Sequence, residues 1–105
     1  MSQFYMLAGT VSTADSLQQL QQRLSKAGLE TLIDDDELEI NGDATLIFRQ
    51  GFDHEYILVG DSGEKETLIT AAGHLSDILK TLGLQHGLEV YDTQNLMIDE
   101  FEFTP

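Results

Sequence analysis

Two short apolar runs in the middle of the chain leave this sequence few folds to choose from. Residues 44–48 read Ala-Thr-Leu-Ile-Phe and residues 56–60 read Tyr-Ile-Leu-Val-Gly. Between them lies Arg49-Gln50-Gly51-Phe52-Asp53-His54-Glu55, with the Gly and Asp of a turn. Both runs are rich in β-branched and aromatic residues and are bounded by turn formers, which favours strands over a short buried helix. Apolar residues fall on both faces of each run, so both belong in the middle of a sheet.

Around this centre the remaining pattern supplies two helices and more strands. Residues 4–9 read as a first strand. Leu17, Leu20, Leu24 and Ala27 then recur at helical spacing, with Thr13 or Asp15 as the cap and Gly28 as the stop. Residues 29–33 form a short strand and Asp34-Asp35-Asp36 a turn or an exposed loop. Glu37-Leu38-Glu39-Ile40 alternates acid and aliphatic, as a strand with one wet face does. Asn41-Gly42 is the strongest two-residue hairpin signal. Residues 61–66 lead into a second helix, whose stripe is Leu68, Ala71, Ala72, Leu75, Ile78, Leu79 and Leu82 and whose stop is Gly83. Gly73 inside it costs about 1 kcal/mol relative to Ala, which marks a close approach to the sheet. Residues 87–91 and 96–103 supply the last two strands.

The expectation is a single α+β domain over residues 1–105, a two-layer sandwich with two helices packed on one face of a mostly antiparallel sheet. Tyr5-Met6-Leu7-Ala8-Gly9 matches Tyr56-Ile57-Leu58-Val59-Gly60, and Leu24 to Leu29 matches Leu79 to Leu84. Duplication would make the domain two β-α-β-β halves. The same matches also arise wherever a strand and a helix each end at glycine.

With 105 residues the chain is long enough for one core, burying roughly 65% of its unfolded surface. No apolar run approaches a membrane span, the amino end lacks a secretory pattern, and there is no cysteine. These features give a cytoplasmic expectation. Nineteen acids against five bases give a net charge of −14. Such a surface repels nucleic acid and anionic membranes, and draws in basic proteins at a rate that falls with salt. Plain solubility explains the same charge.

Motifs for chemistry are weak. Gly60-Asp61-Ser62-Gly63 resembles the nucleophile tetrapeptide of chymotrypsin-like proteases, but Glu64 stands where that motif has a second glycine. A nucleophilic serine also needs a base within reach and an oxyanion hole, and only His54, His74 and His86 are on offer. The same loop lacks phosphate-loop spacing, and Glu64 and Glu66 repel a phosphate. The acids from Asp34 to Asp43 do not follow calcium-loop spacing, and no third ligand joins His74 and Asp77. The sequence thus predicts no catalytic residue, no metal centre and no cofactor.

Placement of charge is more telling. Arg23, Lys26, Lys65 and Lys80 lie in or beside the helices, whereas the hairpins carry the acids. If the helices cover one face, the acids gather on the other or at one end. The functional expectation is a small acidic non-enzymatic interaction module of inhibitor, immunity or DNA-mimic character that binds a basic protein. Its contact residues would be Asp34, Asp35, Asp36, Glu37, Glu39, Asp43, Glu89, Glu100 and Glu102, with Tyr91 or Phe52 as aromatic anchors. The alternative is a homodimeric small-molecule-binding or regulatory domain, with Phe101 and Phe103 at the dimer contact.

Overall fold

A computed structural model describes residues 3–105. The chain runs β1 (Tyr5–Ser12), α1 (Leu17–Lys26), β2 (Glu30–Asp34), β3 (Glu37–Asn41), β4 (Thr45–Gln50), β5 (Glu55–Ser62), α2 (Lys65–Thr81), β6 (Gln85–Tyr91) and β7 (Met97–Phe103). The strands form one sheet in the order β2-β3-β4-β5-β1-β6-β7, and every neighbouring pair is antiparallel. The two runs that opened the sequence analysis are β4 and β5, third and fourth of seven. The helices pack on one face, as expected. The reason is geometric. β1 and β5 are antiparallel neighbours; the crossover through α1 leads from β1 to one edge, and that through α2 leads from β5 the opposite way. Two right-handed crossovers related in that manner put their helices on the same side.

Local chemistry fixes the ends of the helices. Ser16, not Thr13 or Asp15, caps α1. Its hydroxyl accepts from the Gln19 amide at 3.2 Å, and Gln19 Oε1 accepts from the Ser16 amide at 2.8 Å, a closed capping box. Thr13 instead accepts from the Asp15 amide, and the Asp15 carboxylate is taken by Arg23 at 2.6 Å. Arg23 also donates to the Leu82 carbonyl at 2.9 Å, so one guanidinium joins the start of α1 to the end of α2. Gly28 and Gly83 end the helices at φ 100° and 74°. In each case the following leucine donates back to the leucine five residues earlier, Leu29 to Leu24 and Leu84 to Leu79.

Both expected turns join antiparallel neighbours, but the tight two-residue one is at Asp35-Asp36 and not at Asn41-Gly42. Asp35 and Asp36 both have positive φ, 47° and 66°, and the pair Asp34 and Glu37 closes the ladder across them. That is the mirror-image turn that matches strand twist, made here with two aspartates instead of Asn-Gly. Asn41 ends β3, and Gly42 lies in the longer connection to β4. β1 and β5 also run further than read, because Val11 is fully buried between Tyr56 and His86.

The two halves share an order of elements but not a path. After α2 the chain enters beside β1 and moves outward; after α1 it goes to the far edge and meanders back, so β4 occupies beside β5 the place that β6 occupies beside β1. The central ladder is still close to two-fold. Gly9 pairs with Leu58 and Leu88, and Gly60 pairs with Leu7 and Leu46. A Cβ on Gly9 would stand 2.8 Å from Leu88 Cδ2, and one on Gly60 2.6 Å from Leu46 Cδ2. Each glycine makes room for a leucine leaning in from the flanking strand.

One leucine-rich core lies between the layers, with Leu7, Leu38, Phe48, Leu58, Leu88 and Val90 from the sheet and Leu20, Leu24, Leu68, Leu75 and Leu79 from the helices. Gly73 does mark a close approach: a Cβ there would meet the Phe101 ring at 3.3 Å. Phe101 packs against this core. Among the described residues no helix is long and apolar enough to cross a membrane.

Candidate functional site

Seven strands and two helices leave the second face of the sheet uncovered, and the register shows what stands on it. One cross-strand row reads Leu32, Glu39, Ile47, Val59, Ala8, Glu89, Glu100. The next reads Asp34, Glu37, Arg49, Ile57, Thr10, Gly87, Glu102. A third brings Thr45, Asp61, Met6, Tyr91 and Met97 into line. The centre of the face therefore carries an apolar stripe of Ile47, Ile57, Val59, Ala8 and Met6, with the carboxylate of Asp61 beside Met6 at the β5 end. Met6 and Ile57 are exposed, at 37% and 41%. A shallow depression of about 390 Å³ lies over it, lined by Met6, Ile47, Val59 and the Arg49 and Asp61 side.

Carboxylates flank the stripe on both sides. Asp34, Glu37 and Glu39 stand on β2 and β3; Glu89, Glu100 and Glu102 stand on β6 and β7. From β3 to β6 are four interstrand steps of about 4.8 Å, so the flanks are roughly 19 Å apart. That is more than twice the ~8 Å screening length at physiological salt, and each flank acts on its own. Among the described residues Arg49 is the one arginine or lysine of the sheet, and its Nε donates to Glu37. The other four bases are on the helices.

The β6–β7 flank is the more crowded. Glu89 and Glu100 are directly opposite on neighbouring strands. The Glu100 carboxyl is held above its ordinary range, first by the charge of Glu102, then by partial desolvation, a hydrogen bond with Glu102 and the charge of Glu89. The Tyr91 hydroxyl is also pushed up, by desolvation first and then by its bond to Glu89 and the nearby carboxylates.

The sequence-derived contact residues thus fall into separate places instead of one surface. Asp34, Glu37 and Glu39 make one flank and Glu89, Glu100 and Glu102 the other. Asp35 and Asp36 form a turn at the sheet end that also carries Phe52, 89% exposed at the tip of the β4–β5 connection. Asp43 lies at the opposite end, beside α2. Tyr91 does stand among carboxylates; Phe52 stands outside the stripe. The stripe itself was missed. Phe101 and Phe103 share the helix-facing side of their strands with Leu88 and His86, and the Phe103 ring stands 6.1 Å from His86.

Sequence reasoning also passed over a serine–histidine pair. Ser76 and His86 are buried, with Ser76 Oγ 2.7 Å from His86 Nε2 and His86 Nδ1 2.8 Å from the Leu84 carbonyl. A carbonyl only accepts, so Nδ1 carries the proton and the neutral Nε2 accepts from the serine hydroxyl. The pair ties α2 to β6. With Ser76 wholly enclosed, its hydroxyl meets no substrate. Ser62, in contrast, receives the Glu64 amide at 3.1 Å. It pairs with Tyr5, whereas His86 pairs with Val11 six residues further along β1, roughly 20 Å away. Among the described residues no group of three or more His, Cys, Asp or Glu is arranged to hold a metal ion. No family model matches the chain, and comparison with curated proteins and with solved structures returns no match.

Proposed function

We propose that this chain is a non-enzymatic interaction domain that binds a basic protein across the open face of its sheet. The reading rests on one observation: an uncovered apolar stripe of Ile47, Ile57, Val59, Ala8 and Met6 bracketed by two carboxylate flanks. An interface of ordinary strength has such an apolar centre inside a polar rim. The rim charges select for lysine and arginine and speed encounter, while the stripe holds the complex once formed. A partner that fits both flanks presents two basic patches about 19 Å apart with an apolar surface between them. A second copy fits badly, because face-to-face packing brings like-charged flanks together. Inhibitors of nucleases and other proteins that stand in for a nucleic acid are the functional class with this surface, acting in the cytoplasm or wherever their basic target works.

The experiment is parallel affinity capture from the source organism's lysate, with the wild-type chain and with Val59→Lys, at low and high salt. Circular dichroism first establishes that the variant is folded. A basic protein held by the wild type at high salt, lost with Val59→Lys and reproduced by calorimetry with purified components, is the expected result. Capture that ignores the substitution, or a salt-independent dimer in light scattering, sinks the proposal.

A further inference from the structure

On the helix side of the molecule lies a second concavity, independent of the open face. It is a cleft of about 390 Å³ between the first half of α2 and the β3–β4 connection. That volume is within the range of small-molecule sites. Its floor is apolar, from Ile40, Ala44, Leu46, Ala71 and Leu75. The cleft exists because the helices differ in length. α1 has 10 residues and α2 has 17, so α1 is about 10 Å shorter. The sheet beneath the amino-terminal half of α2 is left with a helix on one side only.

Polar groups stand at its mouth: the carboxylates of Asp43 and Glu66, the hydroxyls of Thr67 and Thr70, and His74. No lysine or arginine lines it among the described residues. The amino end of α2 points a partial positive charge of about +0.5 toward this region. Two full carboxylate charges outweigh it, and Glu66 sits in that first helical turn.

We propose that this cleft is a binding site for a small amphipathic amine, with its alkyl body on the Ile40–Leu46 floor and its ammonium between Asp43 and Glu66. The hydroxyls of Thr67 and Thr70 are spare acceptors for the same group. Charge decides the ligand class: an apolar carboxylate of the same size meets two like charges at the mouth.

The test is a heteronuclear NMR titration of the full chain with hexylamine, hexanoate and hexanol at neutral pH. Hexylamine is expected to move the amides of residues 42–44 and 67–75 saturably in the millimolar range, and hexanoate to leave them in place. Joint Asp43→Asn and Glu66→Gln substitution is expected to weaken hexylamine about five- to tenfold and to leave hexanol unchanged. Both side chains are exposed, so this variant folds. Ala71→Leu, which fills the floor, should abolish binding of both; its melting temperature is checked first, and if it fails to fold the charge variant decides. Equal or tighter binding of hexanoate, shifts confined to the open-face carboxylates, no saturable shift, or undiminished hexylamine binding by the charge variant overturns the proposal. None of these results depends on the protein partner of the open face.

Discussion

Gly9 and Gly60 occupy matched positions in the central ladder, yet alanine should not cost the same at both. At Gly9 the new Cβ meets the Gly87 carbonyl oxygen at 2.5 Å, a backbone atom on the next strand. At Gly60 the nearest atom is the end of the Leu46 side chain, with backbone no closer than 3.1 Å. Leu46 can turn; the Gly87 carbonyl cannot without breaking the ladder. Gly9→Ala should therefore lose about 3 kcal/mol and Gly60→Ala about 1 kcal/mol, read from urea midpoints. Ser76→Ala leaves His86 Nε2 buried without a donor and should cost about 1–3 kcal/mol. Glu100 works in the opposite direction. Its folded carboxyl titrates above its unfolded value, so the folded state holds the extra proton and stability falls as pH rises through that window. Glu100→Gln should raise the melting temperature at pH 7. Below the ordinary glutamate range, near pH 4, both forms are neutral and the difference should vanish.

The elements show where sequence reasoning reaches and where it stops. Both helix exits were legible, because Gly28-Leu29 and Gly83-Leu84 each supply a left-handed residue followed by an apolar one. The matched Leu-to-Leu segments reflect that shared exit, since the strands that follow them go to different places in the sheet. The turn at Asp34-Asp35-Asp36 was legible as a turn or loop, but not as the tight two-residue hairpin, which Asn41-Gly42 signals more strongly. Asn-Gly is the better turn former in isolation, but the cross-strand pairing of Ile33 with Leu38 and of Thr31 with Ile40 sets the register and forces Asp35-Asp36 into the bend. This carries a prediction: Asp35→Asn with Asp36→Gly suits both positive φ values, removes two like charges, and should stabilise the hairpin by about 1 kcal/mol, seen as a higher urea midpoint with unchanged slope. The stripe is only half legible. The sequence reads β4 and β5 as central strands with apolar residues on both faces and puts both helices on one face, which already leaves Ile47, Ile57 and Val59 toward solvent. What it does not contain is the strand order that sets Ala8 and Met6 beside them.

At the scale of the whole molecule the net charge of −14 is a field as well as a set of contacts. Its self-repulsion opposes compactness and is screened by salt. Raising sodium chloride from about 20 to 200 mM shortens the screening length from roughly 20 to 7 Å and should raise the melting temperature, with little further gain beyond. A flat response would mean that the flanks are already neutralised.

The place of β1 also sets an order in time. It is the first of the seven described strands in chain order, yet it lies fifth in the sheet, and both of its neighbours come much later in the chain: Gly9 waits for Leu58 on one side and Leu88 on the other. The β2-β3-β4-β5 meander needs only short connections and can assemble while synthesis continues. β1 gains its first partner when β5 is out and its second only with β6, so the two halves of the sheet are joined only once β6 has been made. Contacts so distant in sequence put refolding on the slow side for a domain of this size, in milliseconds to seconds. Until that seam closes, the nascent chain carries β1 with an unpaired edge.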